Sequence, residues 1–467
     1  MVNDIDVALE SGICRKCICK DGKVDCSNQG LTTFFSKEEW AALKDFKPVH
    51  VDMSDNSFEN ITAIAELPIE ILNLSRCGIE SIEFAAFRDL QQMRSLDLSH
   101  NKLTSSLSPH VFEGRYSPQL YEPLLSMEVL NLAHNELHSL HSDLFEHVPE
   151  LTELDLTGNP MTVIDDRTLI SISSLSMLKV LRLRSCQLTE IPDKFLHTFR
   201  NLERLDLSDN LLAGVPQELA ESKNLLYLNL NQNPIKKLDV NSEDHPGFPR
   251  LRKLKELHMC NMPTLAEIGP GALAGLENLE KLHLSFNPQL THISPKALAR
   301  ADDIGETYDW PLVKELYLKS NALTEVDSRL LSRWDLLDAI DVSDNPFMCD
   351  CSTQWMVDSL VPIVDKLTPN ASSSMVCEEP VEMFGYTMHH INQIHRTMRC
   401  VDKYGHRPER DGAMLMGTLI GVLLAVPIMM ALMLLWRRGY FSFIGMRGPT
   451  EVSRAFYKRA PDNDNFV

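Results

Sequence analysis

Met93-Arg94-Ser95-Leu96-Asp97-Leu98-Ser99-His100-Asn101-Lys102-Leu103 reads apolar-x-x-apolar-x-apolar-x-x-Asn-x-apolar. The alternation through Leu96 and Leu98 has the period of a strand with one buried face. The asparagine stands where the chain must turn away from that strand. The phrase returns as Leu151, Leu154, Leu156, Asn159, Met161 and as Leu202, Leu205, Leu207, Asn210, Leu212. Along the chain it recurs twelve times, with its asparagine position filled by Asn56, Cys77, Asn101, Asn135, Asn159, Cys186, Asn210, Asn233, Met262, Asn287, Asn321 and Asn345. Most steps are 23 to 29 residues, and two, Met93 to Met127 and Leu279 to Val313, stretch to 34.

A repeat of this period marks a solenoid. One coil cannot bury its own apolar edge, so stability accrues by stacking neighbours, strand on strand, at about 4.8 Å. The expected fold is an α/β solenoid, a horseshoe of about twelve parallel strands that continues through both stretched steps. The recurring asparagines are expected to bond backbone groups at the turn. Cys77 and Cys186, four coils apart, would be separated by about 19 Å, beyond the ~7 Å reach of a disulfide. They and Cys260 are expected to be free thiols.

A solenoid must cover both ends. At one end stand Cys14, Cys17, Cys19 and Cys26, spaced C-x2-C-x-C-x6-C; at the other, Asn345-Pro346-Phe347-Met348-Cys349-Asp350-Cys351 precedes Trp355, Cys377 and Cys400. Zinc competes as an explanation of the first cluster, but two clusters flanking a repeat array fit disulfides in an oxidising compartment. Spacing leaves the pairing open, since four cysteines allow three arrangements. With these caps, residues 14–400 resemble the extracellular leucine-rich-repeat family with paired cysteine caps, and a leucine-rich-repeat horseshoe is what the resemblance implies. It also implies the pairs Cys14–Cys19, Cys17–Cys26, Cys349–Cys377 and Cys351–Cys400. Arg15 follows the first cysteine where the family often has proline. Within the family the chain looks most like the trophoblast glycoprotein branch, through Leu96-Asp97-Leu98-Ser99-His100-Asn101 and the insertion opened by Leu107-Ser108-Pro109, Phe112 and Gly114.

The 467 residues carry a formal charge of −20, which argues against nucleic acid as a partner. The last 31, Arg437 to Val467, hold six Arg/Lys against three Asp/Glu, so the remainder carries −20 − 3 = −23. Between body and tail lies Gly412 to Trp436, 25 residues without a charge, enough to span a ~30 Å bilayer core as a helix. Arg437 and Arg438 follow directly, so the positive-inside bias places the tail in the cytoplasm and residues 1–411 outside the plasma membrane. The expected segments are an N-terminal extension 1–13, a cysteine cap 14–47, repeats 48–348, a second cap 349–400, a juxtamembrane linker 401–411, a membrane helix 412–436 and a cytoplasmic tail 437–467. Met1 to Ile13 has no basic residue or apolar run, so a leader upstream or already removed is expected.

Equal phases of stacked coils form rows along the concave face. The row between the second and third apolar positions reads Asp52, Asn73, Asp97, Asn131, Asp155, Arg182, Asp206, Asn229, His258, His283, Tyr317, Asp341. Its shift to His258, His283 and Tyr317, with Tyr227 and Phe286 near by, marks the candidate ligand-binding surface, because aromatic residues are enriched at interface hot spots. The Asp/Asn run suggests a basic partner, and two histidines suggest contact charge that changes in mild acid. The stretched steps, one carrying Tyr116 and Tyr121 and the other Asp302, Asp303, Glu306, Tyr308, Asp309 and Trp310, are second candidates. Asn60, Asn73 and Asn370 open N-x-Ser/Thr glycosylation sequons.

No nucleophile elbow, phosphate loop or His-Glu-x-x-His motif occurs, so neither an enzyme nor a cofactor is expected. No metal site is expected either: His389, His390 and His395 lack carboxylate or cysteine spacing. The reading is a cell-surface receptor or adhesion protein that binds an extracellular protein ligand. The alternatives are a co-receptor for a secreted signal such as Wnt, which the resemblance implies, and an auxiliary channel subunit acting through its helix. Asn465-Phe466-Val467 is a candidate for a cytoplasmic PDZ partner.

Overall fold

Each repeat delivers three residues to one sheet: a buried apolar residue flanked by two half-buried ones. The computed structural model describes residues 12–116, 120–242, 246–301, 307–400 and 408–438. The extension up to residue 11, Asp302, Asp303 and Glu306, the linker 401–407 and the tail from residue 439 with its PDZ candidate lie outside the described residues. The chain divides into two compact units, Met1–Arg396 and Thr397–Val467.

In the first unit, a cap hairpin of β1 (Ile18–Lys20) and β2 (Lys23–Asp25) precedes twelve repeat strands. These are β3 (His50–Asp52), β4 (Ile71–Asn73), β5 (Ser95–Asp97), β6 (Val129–Asn131), β7 (Glu153–Asp155), β8 (Val180–Arg182), β9 (Arg204–Asp206), β10 (Tyr227–Asn229), β11 (Glu256–His258), β12 (Lys281–His283), β13 (Glu315–Tyr317) and β14 (Ala339–Asp341). All fourteen form one sheet in chain order. The cap thus adds two strands to the twelve expected: β1 is antiparallel to β2, and β2 pairs parallel with β3, Asp25 beside Asp52. The sheet continues across both stretched steps, with Ser95 opposite Val129 and Lys281 opposite Glu315. The strands on either side of each insertion therefore pair in register.

The central strand residues, Leu72, Leu96, Leu130, Leu154 and their equivalents, are buried and stack row on row. Beneath them Phe87, Phe112, Phe145, Phe195 and Phe199 fill the core. The asparagines tie coil to coil. Asn210 Oδ1 accepts the Cys186 and Leu188 amides at 3.1 and 3.0 Å, while Nδ2 donates to the carbonyls of Leu183, Leu207 and Ser208 at 2.8, 2.9 and 3.2 Å. Cys77 and Cys186 replace part of this with thiols facing the carbonyls of Met53 and Ser75, and of Leu156 and Arg184. Both are free and buried, as sulfur in that slot requires.

The residue before each of these twelve positions adopts a left-handed backbone: Asp55, Arg76, His100, His134, Gly158, Ser185, Asp209, Gln232, Asn261, Phe286, Ser320 and Asp344, with φ between 54° and 73°. Eleven of the twelve have a side chain, although left-handed backbone costs about 1–2 kcal/mol per such residue. The bend aims the amide at the next coil, as His100 N donates to Ala133 O at 2.8 Å.

Disulfides join Cys14 to Cys19, Cys17 to Cys26, and Cys349 to Cys377; Cys351 and Cys400 are each disulfide-bonded as well. In the second unit a helix runs Pro408–Arg437, through Pro427. Its Gly412–Arg437 portion is long and apolar enough to cross a membrane. At about 1.5 Å per residue, its 26 residues reach about 39 Å.

Candidate binding face

Two rows of side chains stand on the face of the sheet opposite the leucines. In the row between the second and third apolar positions, the Asp and Asn residues support the fold directly. One oxygen of Asp52, Asn73, Asp97, Asn131, Asp155, Asp206, Asn229 and Asp341 accepts the amide two residues on, at 2.8–3.0 Å. This is the Asx turn by which a short polar side chain shapes the exit from a strand. Acidity read as a lure for a basic partner is therefore partly structural. Four positions abandon the turn: Arg182, His258, His283 and Tyr317. Arg182 pairs with Glu153 and reaches Asp155 at 3.8 Å, which accounts for it within the sheet.

The other three are consecutive and stack. His258 and His283 lie 4.0 Å apart between ring centroids at 6°, and His283 and Tyr317 4.6 Å apart at 13°. Tyr227, one row over, meets His258 at 5.1 Å and is covered by the Arg204 guanidinium at 4.0 Å. These separations are close to the ~4.8 Å spacing of strands, so register imposes the stack. Aromatic contacts and the cation over the ring add to it. All four rings are half-buried. Phe286 falls outside the stack. It occupies the left-handed row, φ 61°, and its ring is 48% exposed on the turn. The backbone bend, invisible in the residue type, carries it past the strand.

Charges at the stack are arranged on the neighbouring row. His258 Nε2 lies 2.7 Å from Glu256 Oε1, Lys281 pairs with Glu315 at 2.7 Å, and Tyr317 OH donates to Glu315 at 3.3 Å. His283 Nε2 is out of contact with water and, among the described residues, has no hydrogen-bond partner. Burial, with His258 beside it, pushes the His283 imidazole down to about 4. It stays neutral through mild acid, against the expectation that both histidines charge there. Burial also raises the Tyr227 and Tyr317 phenols.

The two stretched steps build separate surfaces. In the first, Tyr116 bridges to Tyr121, whose ring also meets Phe84 and His147. Arg115 anchors this loop on Glu66 at 2.7 Å and Asp89 at 3.3 Å. In the second, Arg300–Ala301 pairs with Tyr308–Asp309, Lys296 lies over Tyr308 at 3.9 Å, and Trp310 flanks that ring at 6.1 Å. Of the sequons, Asn60 and Asn370 are exposed, while Asn73 lies half-buried in the row with Asp52 and Asp97. His389, expected to lack a carboxylate, meets Asp365 at 2.8 Å, a residue 24 positions away that spacing could not reveal.

Residues 68–115, 125–180, 176–235 and 252–303 match the family described as leucine rich repeat, on the same coils that carry the strands and asparagines above. Over these residues the chain carries leucine-rich repeats, and its fold is a leucine-rich-repeat solenoid. Chicken lumican (Gallus gallus) is 26% identical to it over 210 residues, 42% of this chain and 59% of that one. Mouse CD180 antigen (Mus musculus) is 28% identical over 193 residues, 41% of this chain and 28% of that one. The match thus spans less than two thirds of either relative. Among solved structures, a chain of the Drosophila Toll–Spatzle complex superposes with a TM-score of 0.50 at 20% identity, covering 76% of this leucine-rich-repeat chain and 49% of that one. That likeness is one of fold.

Proposed function

We propose that this leucine-rich-repeat protein is a single-pass cell-surface receptor or adhesion molecule. Its repeats face outward, and it binds a protein ligand on the concave face at Tyr227, His258, His283 and Tyr317. The observation that carries the reading is the run of three consecutive coils that replace the Asx-turn residue with stacked rings. A pre-ordered aromatic surface loses little side-chain entropy on binding, which is what hot-spot residues need. A chain of this fold is found in a complex of two proteins, Toll and Spatzle, which supports a protein as the ligand. The arginines after the apolar helix support a cytoplasmic tail.

The test is the double variant His283→Ala, Tyr317→Ala of the full chain displayed on cells. A ligand found by ectodomain binding screens should lose more than ~2 kcal/mol of affinity while surface display is unchanged. Undiminished binding would move the site elsewhere, with the Tyr308–Trp310 loop next in line.

A further inference from the structure

Glu256 and His258 are two residues apart on β11, so their side chains leave the same face of the strand. His283 is the register partner of His258 on β12. One ligand-capable atom from each of the three lies within 4.8 Å of the other two, and all three residues are half-buried. A buried imidazole nitrogen without a partner is unfavourable, and His283 Nε2 is such an atom among the described residues. Glu256 brings a negative charge to the same point, already 2.7 Å from His258 Nε2. The nearest cation on the row, Lys281, is paired with Glu315.

We propose that Glu256, His258 and His283 bind a divalent transition-metal ion of the zinc class. Two imidazoles and one carboxylate are the donor set of three-ligand zinc sites, in which the protein leaves a coordination position open. Donors around a tetrahedral zinc lie about 3.4 Å apart for bonds of ~2.1 Å, and an imidazole binds in its own ring plane, so the His258 and His283 rings, parallel to within 6°, must rotate out of their stack as the donors close by about 1 Å. Tyr227 lies against His258 and Tyr317 against His283, so the pair is flanked by a ring on each side. The open position suits a donor side chain of a bound protein. Sequence spacing does not suggest this site, because the ligands come from two coils, 25 residues apart between the histidines, and converge only through register. The inference shares two residues with the proposed binding face but needs no protein partner, so the two readings fail separately.

The experiment uses the full-length chain in detergent micelles, untagged and stripped with chelator. Equilibrium dialysis against Zn²⁺ should load one ion per chain. Glu256→Gln, His258→Ala and His283→Ala should each weaken loading by about ten-fold or more. His389→Ala, which removes the imidazole paired with Asp365 in the C-terminal cap, should load like the parent. Co²⁺ added to the parent chain should give the visible absorption of a four- or five-coordinate site, a readout that needs no variant to fold. Equal zinc loading by the parent and the His258→Ala, His283→Ala double variant would overturn the proposal. So would a Co²⁺ spectrum no different from the hexaaquo ion.

Discussion

Replacing Asn210 by alanine tests the account of what couples one coil to the next. The Cys186 and Leu188 amides are buried, and each has Asn210 Oδ1 as its acceptor. The alanine variant strands both, at about 1–3 kcal/mol apiece. The carbonyls of Leu183, Leu207 and Ser208 also lose Nδ2. Leu207 keeps a second donor in Asn233, so the carbonyl side of the loss is smaller. The expected destabilisation is about 3–5 kcal/mol. Asn210→Cys should lose less, about 1–2 kcal/mol, because the thiols at Cys77 and Cys186 already face carbonyls from this slot. A solenoid need not unfold in one step, so the measurement is native-state hydrogen exchange. Amides of the coils around Asn210 should lose protection in the order alanine, cysteine, parent. An alanine variant within about 0.5 kcal/mol of the parent, or a cysteine variant worse than alanine, would refute the ladder's role.

Burial pushes the Cys77 thiol up to about 11 and the Cys186 thiol up to about 12; at pH 8 iodoacetamide should leave both unmodified in the native chain and label them after unfolding. Gly158→Ala puts a Cβ 2.4 Å from His134 Nδ1 at φ +73° and should destabilise by about 2 kcal/mol, whereas Gln232→Gly relieves a left-handed residue and should stabilise by about 0.5 kcal/mol; both are read by thermal denaturation. Burial would raise the Asp365 carboxyl, but the Ser372 hydroxyl and amide, with His389, outweigh it and leave Asp365 below its ordinary value. A depressed carboxylate contributes stability above its unfolded pKa of about 3.9 and loses it as pH falls through the lower folded value. The C-terminal cap should therefore open in acid below about pH 4, and Asp365→Asn should flatten that dependence.

The strands, the ladder and the continuous sheet were legible because a period-two apolar pattern followed by asparagine has one structural solution. The strand β2 was not, although Lys23-Val24-Asp25 has the same form as His50-Val51-Asp52, because Cys26 reads as a cap cysteine before it reads as a third apolar position. The left-handed row was hidden for a different reason. Arg76, His134, Gln232 and Phe286 have nothing in common as residues; their backbone is set by the hydrogen bond the next coil offers. The site was half legible. Its rings could be aligned by phase, but the Asx turns and the convergence of Glu256 on two histidines belong to geometry.

The replacement of Asx residues by rings suggests that stability has been exchanged for a surface. Eight of the twelve positions in the row cap the amide two residues on. At His283 and Tyr317 those amides belong to Ser285 and Lys319, and among the described residues no side-chain oxygen reaches them. Restoring the turn with His258→Asn, His283→Asp and Tyr317→Asn should supply two acceptors worth about 1 kcal/mol each. The Cys260 amide, already bonded to Asn231 at 2.6 Å, should contribute nothing new. Loss of ring stacking subtracts about 0.5–1.5 kcal/mol per contact, so the triple variant should melt within a few degrees of the parent while ligand affinity collapses. Functional surfaces behave this way, since residues placed for binding are rarely those the fold would choose. A core or purely structural stack would behave oppositely, with stability falling steeply and binding indifferent. Measuring melting temperature and ligand affinity on the same preparation separates the two, and a variant that unfolds early yet binds as well as the parent would mean that the stack serves the sheet.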